Sequence, residues 1–173
     1  MPKINLRKGF TLIEILVYAG VLLMMIIVVF SSINWATRSA LRARAMREAL
    51  DSAQRSMEII TYETKEAKSI YSPTTASNQL SLETTKYPPA GESATYIDFF
   101  LCGTKLCIKR ESQDPVELTS DEVEVTNLAF TRIASGAVPA VQIDLTVKYK
   151  NPSGKPELEN SVSFTSTASL RSY

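Results

Sequence analysis

Hydrophobic side chains are concentrated in one uninterrupted run near the amino terminus. From Phe10 to Phe30 the chain reads FTLIEILVYAGVLLMMIIVVF, 21 residues with one charged side chain, that of Glu14. A helix of that length extends about 31 Å, close to the roughly 30 Å hydrocarbon thickness of a bilayer. The run leads directly into more helix-forming sequence, without a signal-peptide cleavage pattern. This pattern predicts one retained membrane-spanning helix.

The helical pattern continues beyond the apolar run. No Pro occurs between Pro2 and Pro73 and no Gly between Gly20 and Gly91, so a helix is expected to continue to about Ser69. Apolar or small residues recur at spacings of three and four, which places them on one helix face: Met46, Leu50, Ala53, Met57, Ile60, Thr64, Ala67 and Ile70. We expect this stripe to pack against a folded domain.

After Tyr71 the pattern changes to short runs of alternating residues separated by Ser, Thr, Pro and Asn, which is typical of strands joined by turns. The turn sequence of residues 151–154 predicts that the last two strands form an antiparallel hairpin. Strands are predicted near residues 79–84, 94–101, 106–111, 123–133, 140–150 and 158–167. The apolar face expected to cover the helix stripe comprises Val141, Ile143, Leu145, Val147 and Tyr149, completed by Val125, Leu128, Phe130, Val162 and Phe164.

These elements together predict an α+β fold. A long amino-terminal helix has a membrane-spanning first part, residues 10–30, and an outer part, residues 31–70. The outer part is expected to pack on one antiparallel β-sheet, formed by a β-rich domain of residues 71–173. With 143 residues after Phe30, the chain is long enough for one modest domain but not for two.

Composition removes several classes of function. The chain of 173 residues has 19 Lys and Arg, 18 Asp and Glu, and no His. A Ser-His-Asp or Cys-His mechanism and the usual His-containing zinc sites are therefore excluded. The only place for acid-base chemistry or a cation is the acidic group of Asp121, Glu122 and Glu124, which we interpret as solvated residues beside a strand. We expect no enzyme, no cofactor and no metal.

The near-zero charge balance gives no electrostatic reason to expect nucleic-acid binding. One basic run occurs on the predicted helix, comprising Arg38, Arg42, Arg44 and Arg47. Aromatic residues for base stacking do not alternate with these arginines. A surface that faces solvent or lipid headgroups is the preferred interpretation, and acids of neighbouring subunits would be its partners in a filament.

The two cysteines flank a short turn. Cys102 and Cys107 are separated by four residues, and we expect them to occupy facing positions across a tight hairpin. In an oxidising compartment they should form a disulfide. Closing a loop of this size stabilises a fold by roughly 2 kcal/mol in the chain-entropy model.

Glu14 is the anomaly of the apolar run, because a carboxylate at the centre of a bilayer costs roughly 2.5 to 3.5 kcal/mol. In one interpretation it lies a turn from the interface and its side chain reaches the headgroups. The residues that precede Glu14 in the chain support a second interpretation. The string Lys8-Gly9-Phe10-Thr11-Leu12-Ile13-Glu14 combines a basic leader ending in Gly, then Phe, a Glu four residues later and an apolar run. It resembles the class III signal of type IV prepilins and type II secretion pseudopilins.

The resemblance implies that a prepilin peptidase removes residues 1–9 by cutting between Gly9 and Phe10, and then methylates the amino group of Phe10. It further implies that Glu14 pairs with the terminal amine of a neighbouring subunit during assembly. Other pilin or pseudopilin subunits and an inner-membrane assembly platform would be the partners. The amino terminus would lie in the cytoplasm, and the assembled form in the periplasm or on the cell surface.

Within that superfamily the chain is most similar to minor subunits. Major pilins commonly have a Pro about twenty residues after the cleavage point, where this chain has Ser31 and Ser32. The order of features resembles the minor pseudopilin of the J class and the minor pilin W. The alternative function is a single-pass anchor that presents an extracytoplasmic binding or sensing domain and does not assemble.

Overall fold

A computed structural model describes residues 11–86, 88–133, 138–152 and 154–171. It confirms the α+β fold, with one long amino-terminal helix packed against antiparallel sheets. The elements are α1 (Leu12–Glu66), β1 (Ser69–Ser72), β2 (Ala76–Ser77), β3 (Leu80–Thr84), β4 (Thr95–Cys102), β5 (Lys105–Arg110), β6 (Val116–Glu117), β7 (Val123–Ile133), β8 (Ala140–Tyr149), a short 3-10 helix (Pro156–Leu158) and β9 (Ser161–Ser169). The chain divides into two compact units, with the boundary between Ala40 and Leu41.

Helix α1 ends at Glu66, earlier than predicted, because the next residues pair with a strand. The backbone N–H of Lys68 donates to the carbonyl of Glu83, and Ile70 lies opposite Leu82 on β3. The Ser69 hydroxyl also donates to the Glu83 carboxylate. Ser69 and Ile70, which were predicted at the end of the helix, therefore lie in β1, where cross-strand bonds replace helical ones.

The strands form two sheets and not the single sheet predicted. The order is β1-β3-β4-β5-β6 in the first and β2-β7-β8-β9 in the second, and every pairing is antiparallel. The two sheets meet near the turn after β4, where the Val125 N–H on β7 donates to the Thr104 carbonyl at 2.7 Å. All six predicted strands are present, and β8 and β9 form the predicted antiparallel hairpin.

The outer part of α1 packs through the predicted stripe. Ala53, Met57, Ile60 and Thr64 are buried, whereas Met46 is 41% exposed and does not belong to the packed face. The same face includes small residues that were not predicted: Ala45, Ala49, Ser52 and Ser56. Small side chains allow the sheet backbone to approach the helix closely.

The sheet side of the core is largely as predicted. Val141, Ile143, Leu145 and Val147 on β8 are buried, and Tyr149 is half-buried. The other predicted core residues belong to the same cluster, namely Val125, Leu128, Phe130, Val162 and the partly buried Phe164. Period-two alternation on β8 therefore gave the correct buried face.

Candidate functional site

The first part of α1 is the most distinctive surface of the chain. Every large hydrophobic side chain from Leu12 to Phe30 is exposed, Leu12 to 83%. The helix is long and apolar enough to cross a membrane, and it lies near the amino terminus. Exposed apolar surface of this extent is unfavourable in water and is typical of a lipid or protein environment.

Polar residues beyond the apolar run bond to the backbone of α1 itself. The Ser32 hydroxyl donates to the Val28 carbonyl at 2.8 Å, and the Asn34 amide donates to the Phe30 carbonyl at 3.1 Å. Such bonds satisfy polar side chains without water or a second chain. Both side chains therefore have a hydrogen-bond partner within the helix itself.

Glu14 lies in the first turn of α1. Its backbone N–H donates to the Thr11 carbonyl at 3.1 Å, and the Tyr18 hydroxyl donates to its carboxylate at 3.2 Å. A negative charge at this end of a helix interacts favourably with the exposed N–H groups of the first turn. Glu14 as a residue is half-buried, and from Leu12 to Thr37 its carboxylate is the only ionisable group apart from the Tyr18 hydroxyl. Gly9 and Phe10 lie outside the described residues.

The cysteine hairpin is formed by β4 and β5. Cys102 and Cys107 lie at disulfide-bonding distance, with Cα atoms 5.9 Å apart. The sequence predicted that the two cysteines occupy facing positions across the hairpin, and this prediction is wrong. Cys102 pairs with Lys105 and Cys107 pairs with Phe100, so the cysteines are diagonal neighbours on one face.

Breaking this link is expected to lower stability moderately. Substituting Ser for both Cys102 and Cys107 should reduce the free energy of unfolding by about 2 kcal/mol, because the unfolded chain regains the freedom of a closed loop. Urea unfolding of the full chain in detergent, with and without reductant, measures this. Reductant should shift the midpoint of the wild type and leave the double variant unchanged. Equal midpoints for the oxidised wild type and the double variant would contradict the expectation.

The acidic residues Asp121, Glu122 and Glu124 do not form one cluster in the structure. Asp121 forms an ion pair with Lys105, and the Glu122 carboxylate accepts a hydrogen bond from the Tyr149 hydroxyl at 3.1 Å. Glu124 lies opposite Lys148 on β8. Across the described ranges, no group of three or more Cys, Asp or Glu residues is arranged to hold a metal ion.

Lys105, the first residue of β5 in the cysteine hairpin, contacts two acidic side chains. Its ammonium interacts with Asp121 and also with Glu117, at 2.5 Å. Hydrogen bonds to Asp121 and then to Glu117 raise the pKa of Lys105, and the bond from Lys105 lowers the pKa of Asp121. The pair with Asp121 joins the turn before β7 to β5, and the pair with Glu117 joins β6 to β5, so the role of Lys105 is structural.

The basic run on α1 is followed by acids with their own partners. Asp51 pairs with Arg55 at 2.7 Å, one helical turn later. Glu48 accepts a hydrogen bond from the Ser120 hydroxyl at 2.9 Å, which ties α1 to the loop before β7. Glu48 therefore contacts the folded domain, whereas the Asp51 pair is an exposed contact within α1.

Sequence reasoning missed a groove between α1 and β9. It has a volume of about 550 Å³ and is lined by Gln54, Met57, Glu58, Thr61, Tyr62, Lys65, Phe164, Thr165 and Ser166. Its residues come from elements about a hundred positions apart, so no local spacing marks it. The only sequence signal is the lack of charge from Ser161 to Ser169.

Known proteins provide no further identification. No protein-family model, curated protein or solved structure matches this chain at a significant level.

Proposed function

We propose that the chain is a minor pilin or pseudopilin, a structural subunit of a type IV pilus or a type II secretion pseudopilus. Prepilin peptidase processes it between Gly9 and Phe10. The protein lies in the inner membrane with its amino terminus in the cytoplasm until it assembles. Other pilin or pseudopilin subunits and the assembly platform are its partners, and its role is structural and not catalytic.

The observation that carries the proposal is the position of Glu14. A lone carboxylate in the first turn of an otherwise apolar, exposed helix is expensive to place in a membrane. Pairing with a cation offsets that cost. The amino group of a processed Phe10 is cationic near neutral pH, since the ordinary pKa of such a group is about 7.7 to 8.0. The Glu14 of an incoming subunit therefore has a partner in the amine of its neighbour.

The continuous helix and the β-domain also fit a filament subunit. The apolar first part of α1 can be transferred from lipid to a helical filament core without exposing its side chains to water. The second part is anchored in the domain by Ala53, Met57 and Ile60. In this proposal, each subunit carries a compact domain on a helix that assembles through its other half.

The mature amino terminus tests the proposal directly. Intact mass and amino-terminal sequencing of the chain purified from its native membrane should give N-methylated Phe10 as the first residue. A chain that retains residues 1–9 would contradict it. That result would favour a single-pass anchor with a binding or sensing domain, because Gly9 would then have no role in processing and Glu14 none in assembly.

A further inference from the structure

Strand β9 is an edge of the four-stranded sheet. Beyond its ends, the Tyr149 N–H donates to the Asn160 carbonyl, and the Leu170 N–H donates to the Pro139 carbonyl. In an antiparallel ladder these bonds fix which residues face the neighbour, so the even-numbered residues of β9 bond to β8. The odd-numbered residues direct their backbone N–H and C=O groups away from the sheet: Ser161, Ser163, Thr165, Thr167 and Ser169. These outward backbone groups have no hydrogen-bond partner within the part of the chain that the structure describes.

The edge lacks the features that usually prevent strand addition. Exposed edges are commonly shortened, bulged, or interrupted by Lys or Pro. From Ser161 to Ser169 the sequence is SVSFTSTAS, with no charge and no Pro, and its pairing with β8 has no register shift. Nine residues of regular, uncharged edge provide a template for one more strand.

The groove lies beside this edge and gives an added strand a surface to cover. Helix α1 runs along β9 in the same direction, because the Arg171 N–H donates to the Lys65 carbonyl where β9 has ended. At the other end, Glu48 accepts a hydrogen bond from Ser120 just before β7, and the first residue of β7, Val123, lies opposite Tyr149, which bonds to Asn160 before β9. An added strand would therefore place alternate side chains against Met57, Thr61 and Phe164.

Two charges in the groove indicate what the added strand carries. Glu58 and Lys65 are exposed, and neither forms an ion pair with another described residue. They are seven residues apart on α1, about 10 Å along the helix axis. Because β9 is uncharged, a second copy of β9 would leave both of them unpaired. A segment of a different sequence, with one acid and one base, would satisfy both.

We infer that the free edge of β9 binds an extended segment of a partner protein, which adds as an antiparallel strand. Its apolar side chains at alternate positions fill the groove. An acidic residue near its amino-terminal end faces Lys65, and a basic residue nearer its carboxyl-terminal end faces Glu58. Backbone hydrogen bonds provide the affinity, and side-chain contacts in the groove provide the specificity, as in other strand-addition complexes. This inference is independent of the proposed filament and applies equally to an anchored domain.

A peptide related to β8 is a suitable probe, because β8 already pairs antiparallel with β9. The probe has the sequence of residues 140–149 with Ile143→Glu and Val147→Lys, which places the charges about 14 Å apart on one face. We expect it to bind the full chain in detergent micelles, as measured by fluorescence anisotropy. Amide hydrogen exchange should slow at least about tenfold at Ser163, Thr165 and Thr167 when the peptide is bound.

Edge variants provide the matched control. Thr167→Pro removes one outward N–H and adds a ring at the edge, and should weaken binding at least about tenfold. Thr167→Val retains the N–H and should bind as the wild type does. If the wild type does not bind the peptide, or if Thr167→Pro binds it as tightly, the inference is wrong. Protection of these amides without peptide, with dimers in solution, would also overturn it by making a second copy the occupant.

Charge-swapped pairs test the direction of the added strand. A peptide with Ile143→Lys and Val147→Glu should bind at least about tenfold more weakly than the first peptide. A chain with Glu58→Lys and Lys65→Glu should reverse that preference, since both side chains are exposed. Equal binding of both peptides to the wild type would overturn the assigned orientation and charges.

Discussion

Replacing Glu14 by Ala is expected to reduce filament assembly at least about tenfold while leaving the chain inserted in the membrane. The proposed assembly step buries the cationic amino group of Phe10, and a buried charge without a partner is strongly unfavourable. Ala removes the partner and also lowers the cost of placing α1 in the bilayer. Insertion should therefore be unaffected or slightly favoured. The substitution should make the free energy of association less favourable only in the step that brings two subunits together.

Quantitative immunoblots of sheared filaments and of the membrane fraction measure this effect. Glu14→Gln retains the shape of the side chain without its charge and should fail as Ala does. Tyr18→Phe removes the hydrogen bond to the Glu14 carboxylate but retains the charge, so it should assemble. Wild-type levels of filaments from Glu14→Ala would remove the proposed role of Glu14.

Replacing Ile60 by Ala is expected to destabilise the folded domain by about 2 to 5 kcal/mol. The Ile60 side chain is fully buried in the core cluster that α1 forms with the sheets. Its removal leaves a cavity between elements that are held on both sides, so the loss includes the packing contacts of the cavity walls as well as the hydrophobic transfer. Urea unfolding of the full chain in detergent, followed by near-ultraviolet circular dichroism, gives the change.

Ile59→Ala is the matched control, one residue earlier on the same helix. Ile59 is only partly buried, so the same substitution should cost about 1 kcal/mol. The gain in helix propensity from Ile to Ala is the same at both positions and cancels in the comparison. Equal losses at the two positions would mean that the stripe does not set the orientation of α1.

Hydrophobic periodicity predicted an element correctly where one face of a long segment is buried along its whole length. The alternation on β8 spans ten residues and identified its buried face correctly, because side chains of a strand point to opposite sides in strict turn. The stripe on α1 was correct at Ala53, Met57 and Ile60 for the same reason, with the helical period. Short strands such as β2 and β6, with two residues each, contain no period to detect.

The errors occur where pairing between strands, and not the period of one segment, decides the structure. The helix was predicted to extend to about Ser69 because nothing in the sequence terminates it. In the structure, Lys68 and Ile70 pair with β3, some fifteen residues away along the chain. The cysteines were placed at facing positions, but the register of β4 and β5 makes them diagonal neighbours. Register depends on the turn and on the whole hairpin, and not on the spacing of two residues.

The sequence alone determined the α+β class, the apolar helix and its single carboxylate, because these follow from composition and period along one segment. The tertiary structure decided that the strands divide into two sheets, that α1 ends at Glu66, and that Asp121 and Glu122 have separate partners. It also created the groove between α1 and β9, whose residues meet only when the chain is folded. The physical reason is that a period reports the environment of one face, whereas hydrogen-bond partners are selected among all segments that folding brings together.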